Sequence, residues 1–273
     1  MSTNDKRCNA IPYGRMHAVI SVSGGMDSTC LLVELLRNNY ENIHAFSFDY
    51  GQKHKVELER LDKNLEYLRV YGFNIIHKRI DLRSVMGSLK TALTSDEVDM
   101  PEGHYANENM KLTVVPNRNA IFAAVIFAQA QNIANIHNAE VDIALGVHSG
   151  DHTIYPDCRR EFFYTLEEAF KLGNWNSNKV NFYLPYINRD KARILYECFH
   201  ACEQLGIDFN TLLRNTNTSY DPDELGRASG KTGSDVERIL AFHDIGMKDP
   251  VEYVDGWENA LAYALEQEKA HAK

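Results

Sequence analysis

A chain of 273 residues with 44% hydrophobic and 25% charged positions carries enough apolar material for one large core, with or without an appendage. Its 38 acidic against 29 basic residues give a net charge of −9, which argues against broad binding to nucleic acid or an anionic membrane. No stretch approaches the roughly 20 apolar residues of a membrane helix, the polar start lacks a secretory apolar core, and five scattered cysteines suit a reducing, cytoplasmic setting.

Residues 1–15 read as a flexible tail. The apolar run His17–Val22 predicts a first strand, and Thr29–Leu36 a helix directly after it. Strands are expected at 42–48, 73–80, 141–147 and 180–184. Helices are expected at 55–70, 119–136, 160–171 and 188–205, the last capped by Asn188 and stopped by Gly206. The 119–136 helix is apolar nearly all round and therefore buried. Residues 81–116 form a long polar, Gly- and Pro-punctuated connection of the sort that is usually functional. After Gly206 the chain is loop-rich until two final helices, at 235–243 and 257–268. Strands alternating with helices predict an α/β fold: a doubly wound, mostly parallel, five-stranded sheet with a C-terminal helical extension. The domains expected are a catalytic domain at 16–205 and an extension at 206–273.

In such sheets ligands bind beyond the carboxyl ends of the strands. That rule gathers four turns into one cleft: 23–28, Asp49–His54, Val147–Arg159 and Pro185–Lys191. The first is Ser23-Gly24-Gly25-Met26-Asp27-Ser28, between a strand and a helix. Adjacent glycines let backbone N–H groups approach an anion, the helix N-terminus favours negative charge, and Ser23, Ser28 and Thr29 add hydroxyl donors. Asp27 beside phosphate makes sense with a bridging divalent cation, which points to Mg²⁺ and a nucleotide. The string resembles the pyrophosphate loop of the ATP pyrophosphatase (PP-loop) superfamily, whose members cleave ATP between the α and β phosphates.

Four further strings occupy the cleft: Phe48-Asp49-Tyr50-Gly51-Gln52-Lys53-His54, Val115-Pro116-Asn117-Arg118-Asn119, Gly146 to Arg159 with its Tyr155-Pro156-Asp157-Cys158-Arg159 core, and Lys191. In this order they resemble the 7-cyano-7-deazaguanine synthase (QueC) family, from about residue 17 onward. The resemblance implies a Rossmann-like fold of the adenine nucleotide α hydrolase type. It implies a ligase that uses ATP and ammonia to turn 7-carboxy-7-deazaguanine into the nitrile through an adenylated acid and an amide. It also implies a homodimer with small-molecule substrates and no direct nucleic-acid or membrane partner.

On that resemblance, Ser23, Gly24, Gly25, Ser28 and Thr29 cradle pyrophosphate and Asp27 holds Mg²⁺. Phe48 and His54, with Asp49, line the ATP side. Arg118 clamps phosphate or the substrate carboxylate, and Lys191 meets the phosphates. Tyr155, Asn119, Asp157 and Arg159 bind substrate, with Asp157 accepting from the guanine-like N–H edge. His148, His152 and Cys158 admit a metal or nucleophile reading, which gives way to their place in the substrate string.

One region departs from the family. Its C-terminal zinc cysteines are replaced by Ser219, Ser229, Thr232 and Asp235. Hydroxyls do not replace thiolates around zinc, so no zinc is expected, and hydrogen bonds among these side chains are expected to hold the loop. Gly226–Thr232 imitates a Walker loop but is one residue short, and no strand precedes it. Three alternatives to full nitrile synthesis remain open from the sequence: stopping at the amide, joining the acid to another amine, or a non-catalytic nucleotide-binding module.

Overall fold

Five short strands rich in β-branched and aromatic residues hydrogen-bond side by side in the order β3-β2-β1-β4-β5, every neighbouring pair parallel. They are β1 (His17–Ser21), β2 (Asn42–Asp49), β3 (Ile75–Asp81), β4 (Val141–Ala144) and β5 (Val180–Tyr183). The computed structural model describes residues 17–272, so the tail expected at 1–15 lies outside the described residues. Helices α1 (Met26–Arg37), α2 (Val56–Val70), α3 (Arg83–Met86), α4 (Arg118–His137), α5 (Arg160–Gly173), α6 (Lys191–Leu205), α7 (Phe209–Arg214), α8 (Gly233–Asp244) and α9 (Trp257–His271) complete the chain. No described helix is long and apolar enough to cross a membrane.

The period-2 alternation of each strand divides its side chains between two cores. Ala18, Ile20, Ile43, Ala45 and Ala144 meet α1, α2 and α6 on one face. Val19, Phe46, Phe48, Val141, Ile143 and Val180 meet α4 and α5 on the other. The doubly wound sheet expected from the sequence is therefore present, and it is wholly parallel. Ile207, Phe209, Leu212, Leu213, Ala241 and Phe242 join the first core, so α7 and α8 pack into the same apolar layer as α1 and α6.

Several boundaries differ from expectation for local reasons. α1 starts at Met26, not Thr29, because the Thr29 N–H already bonds the Gly25 carbonyl (3.2 Å) and draws Asp27 and Ser28 into its first turn. Asp190, not Asn188, caps α6, its carboxylate accepting from the Arg193 N–H at 2.7 Å. β4 ends at Ala144, three residues early, which frees Leu145–Val147 to turn into the cleft. The loop-rich stretch after Gly206 contains α7, capped by Asp208. The 81–116 connection carries α3 and a 3₁₀ turn at Glu108–Thr113, and it is pinned to the C-terminal region by the Gly103 N–H on the Lys231 carbonyl (3.0 Å).

Candidate active site

In the strand order β3-β2-β1-β4-β5, successive connections run in opposite directions from β1, so the crevice lies between the ends of β1 and β4. A cavity of about 230 Å³ opens there. Its floor is the turn from Ser21 to Ser28, which is held from three sides. Gly24 has φ +95°, and a Cβ on it would stand 2.0 Å from the Glu57 carbonyl oxygen at the start of α2. Gly146, after β4, lies so close that its Cβ would meet the Ser28 nitrogen at 3.4 Å. From the C-terminal side, the Asn217 N–H donates to the Gly24 carbonyl (3.0 Å), and the Met26 N–H to Thr218 Oγ1 (3.4 Å).

The 216–219 segment is in turn anchored to α8. Arg238, fully buried, donates from Nη1 to Thr216 Oγ1 (2.7 Å) and Thr218 Oγ1 (2.9 Å), and from Nε and Nη2 to Asp249 (2.6 and 2.9 Å). One oxygen of buried Asp235, Oδ2, accepts from Ser219 Oγ (3.0 Å), Ser229 Oγ (2.9 Å), Thr232 Oγ1 (2.7 Å) and the Thr232 N–H (3.2 Å). These are the four positions at which the resemblance implied cysteines and the sequence has none. The expected hydrogen bonds join them, and Thr232 and Asp235 also close a capping box on α8.

At one end of the cavity the charges are paired. Lys191 is 5% exposed, and its Nζ lies 2.6 Å from Glu237 and 3.7 Å from Asp27. Burial works against the ammonium, but the Asp27, Glu237 and Asp151 carboxylates outweigh it and hold Lys191 charged. His148 Nε2 lies 3.4 Å from Asp151 and 3.8 Å from Asp27, while its Nδ1 accepts from the Gly150 N–H at 3.1 Å. Burial opposes its protonation too, yet the same three carboxylates raise it above the ordinary histidine range. Asp27 Oδ1 is buried without a hydrogen-bond partner. An unpaired hard oxygen beside a phosphate-binding turn is a fitting ligand for Mg²⁺.

The other end is aromatic. Tyr50, Phe122, Tyr155 and Tyr220 line it, and Phe48 stacks on Phe122 at 4.1 Å. Arg118 stands among Tyr50, Tyr155, Tyr220 and Cys158, and among the described residues it forms no ion pair with a carboxylate. A guanidinium left without a counter-ion in a cavity is a site for an anion. Tyr155 is held by Thr113 Oγ1 at 2.5 Å, which gives the long connection a part in the wall. Cys158 is buried with its thiol pushed upward by desolvation, the opposite of an activated nucleophile.

Of the residues expected from the sequence, Ser23, Gly25, Asp27, Ser28, Phe48, His54, Arg118, Asn119, Tyr155 and Lys191 line the cavity. Gly24 supports it from beneath. Thr29 does not reach it, because α1 starts early and the side chain turns into the core, 3% exposed. Asp157 and Arg159 stand outside the lining. Asp157 Oδ2 accepts from the Asn119 N–H (3.4 Å), serving the start of α4, and exposed Arg159 donates from Nε to the His152 carbonyl (3.0 Å). The sequence reading missed Glu57, Tyr220, Glu237 and the Asn217–Thr218 pair. Glu57 had a signal, lying three residues beyond His54 on α2; Glu237 had none.

A parallel sheet whose switch point holds a Ser-Gly-Gly-x-Asp-Ser turn and a buried lysine defines a nucleotide-using enzyme of the PP-loop class. The model of the family described as queuosine biosynthesis protein QueC matches residues 17–246. The chain is 39% identical over 238 residues to the 7-cyano-7-deazaguanine synthase of Methanoregula boonei, covering 87% of this chain and 99% of that protein. It is 41% identical over 236 residues to the enzyme of that name from Hahella chejuensis, covering 86% and 92%. The chain belongs to the QueC family.

Proposed function

We propose that this chain is an ATP-dependent 7-cyano-7-deazaguanine synthase of queuosine biosynthesis, converting 7-carboxy-7-deazaguanine and ammonia to the nitrile. The observation that carries the reading is one cavity joining the phosphate-binding turn to an Arg118 that forms no ion pair with a carboxylate among the described residues. Such a site can bring together a nucleotide and an aromatic acid. The relatives named for this activity support the choice of acid.

A carboxylate is a poor electrophile, and its oxygen becomes a good leaving group only after activation. Arg118 orients the acid against the nucleotide, so that a carboxylate oxygen bonds the α-phosphorus and the bond to pyrophosphate breaks. The turn's backbone and the Ser23 and Ser28 hydroxyls hold the departing pyrophosphate, and Lys191 meets its charge. Ammonia then attacks the acyl carbon, AMP leaves and a proton is lost, giving the amide. A second ATP takes up the amide oxygen in the same way, and loss of AMP and a proton leaves the carbon–nitrogen triple bond. Asp27, with its unpaired oxygen, would hold Mg²⁺, which supplies positive charge to the phosphates. The aromatic walls would shield one side of the adenylate from water.

The family resemblance supports a homodimeric assembly and a cytoplasmic setting. Incubation with the acid, ATP, Mg²⁺ and ammonium tests the reading: mass spectrometry should find the nitrile, with two AMP per product. Amide as the end product, or ADP in place of AMP, would overturn it.

A further inference from the structure

The cavity contains a carboxyl group that none of the steps above uses. Glu57 lies in the first turn of α2, is 8% exposed and lines the cavity together with Arg118 and Tyr220. Its position is fixed through a fully buried amide. Gln52 accepts from the Tyr50 N–H with Oε1 (3.0 Å) and donates from Nε2 to the Phe48 carbonyl (3.1 Å) and to Glu57 Oε1 (2.9 Å). Both Gln52 amide hydrogens are thereby used, so the amide cannot flip without losing all three bonds. His54 Nε2 is 3.6 Å from Glu57 Oε1, and its Nδ1 is buried without a partner. That imidazole is neutral, because burial first, then the Arg118 and Lys53 charges, lower it to about 3.

Among the described residues Glu57 therefore has no cation in hydrogen-bonding contact, although the Arg118 charge favours its ionised form, and Gln52 occupies one of roughly four acceptor positions on its two oxygens. Burial pushes its carboxyl up to about 7. A carboxylate kept in that state gains most from a ligand that brings two adjacent N–H donors, since hydrogen bonds to a charged acceptor are the strong ones. The pyrimidine edge of a guanine-type ring, with its ring N–H and exocyclic amine, has that pattern. The aromatic walls accommodate the ring's faces, and Arg118 can meet an acid substituent elsewhere on it.

We propose that Glu57 is the specificity-determining residue for the heterocycle: its carboxylate accepts from the ring N–H and exocyclic amine of a 2-amino-4-oxopyrimidine edge, with Gln52 as its positioning residue. The role expected of Asp157 thus falls to a residue inside the cavity. The inference rests on the substrate reading above, and its test is an equilibrium measurement independent of turnover.

Calorimetric titration at pH 8 compares 7-deazaguanine with 7-deazahypoxanthine, which lacks the amine. The wild-type chain should prefer the amine-bearing ring at least about tenfold. Glu57→Gln should reduce the preference to within about twofold while leaving MgATP affinity within about threefold. Glu57→Asp, which keeps the charge but withdraws it by one methylene, should lose most of the preference and covers the case in which the Gln variant does not fold. No preference in the wild-type chain, or one retained in Glu57→Gln, overturns the proposal. Preference lost on substitution, but no AMP released from the carboxylated ring and ammonium, leaves Glu57 as the ring reader and refutes only the synthase activity.

Discussion

Replacing Asp235 with alanine removes the acceptor of three hydroxyls and one backbone N–H, all on Oδ2 and all at 2.7–3.2 Å. Each stranded donor in a buried setting costs about 1–3 kcal/mol, although a hydroxyl can rotate towards another acceptor. Loss of the α8 capping box adds about 1 kcal/mol. Against this, alanine removes a desolvated carboxylate; burial raises the Asp235 pKa despite the hydrogen bonds from Thr232, Ser229 and Ser219. The balance is a loss of about 3 kcal/mol, equivalent to roughly 6–12 °C for a chain of this size. Urea unfolding followed by circular dichroism measures it, with the denaturant slope unchanged. Glu66→Ala is the control: that exposed carboxylate pairs with Arg69 at 3.2 Å and should leave the midpoint essentially unmoved. A chelator should leave the wild-type midpoint unmoved. A loss below about 1 kcal/mol in Asp235→Ala, or a chelator-sensitive midpoint, would refute the view that this carboxylate holds the C-terminal loop.

Gly24→Ala places a Cβ 2.0 Å from the Glu57 carbonyl at a φ of +95°, so the turn must shift by about 1 Å; AMP release should fall by about 100-fold or more in steady-state assays. Lys191→Met alone strands Glu237, so the informative variant pairs it with Glu237→Gln; this double variant should fold, and its AMP release should drop about 10²–10³-fold. His54 is buried neutral, with its folded value near 3 against an ordinary 6.5. Its contribution is therefore intact above pH 6.5 and erodes as the pH falls towards 3, by an amount of order 5 kcal/mol; a His54→Gln series of urea midpoints against pH should lack that slope. Glu57 behaves in the opposite sense, because its folded value near 7 lies above the ordinary 4.5. Its ionisation removes stability as the pH climbs from 4.5 through 7, so ligand-free Glu57→Gln should be about 3 kcal/mol more stable than wild type at pH 8, with no advantage below pH 4.

Those opposite slopes arise from two residues only three apart, which shows where sequence reading reaches and where it stops. The strands were legible because period-2 apolar runs ended in turn residues. The phosphate-binding turn was legible because two glycines, two serines and an aspartate sit between a strand and a helix. Thr29 was misjudged by a local effect, since the extra helical turn starting at Met26 rotates it into the core. Asp157 lies within a recognisable string, but the turn that carries it spends its carboxylate on the Asn119 N–H. Asn188 was the expected cap of α6, but the chain enters the helix two residues later and Asp190 takes the role.

The order of strands and helices, the anion-binding character of residues 23–28 and the presence of hydroxyls and a carboxylate, not thiols, at 219, 229, 232 and 235 were fixed by the chain itself. These properties depend on neighbours in sequence and on side-chain chemistry. Tertiary structure alone decided that Glu237 meets Lys191, that Arg118 forms no ion pair with a carboxylate among the described residues, and that Glu57 lies within the same cavity as Tyr220. Such outcomes depend on which groups share a low-dielectric space after 45 residues (Lys191 to Glu237) or 162 residues (Glu57 to Tyr220) between them have folded, and charge pairing and desolvation act through that space irrespective of position along the chain.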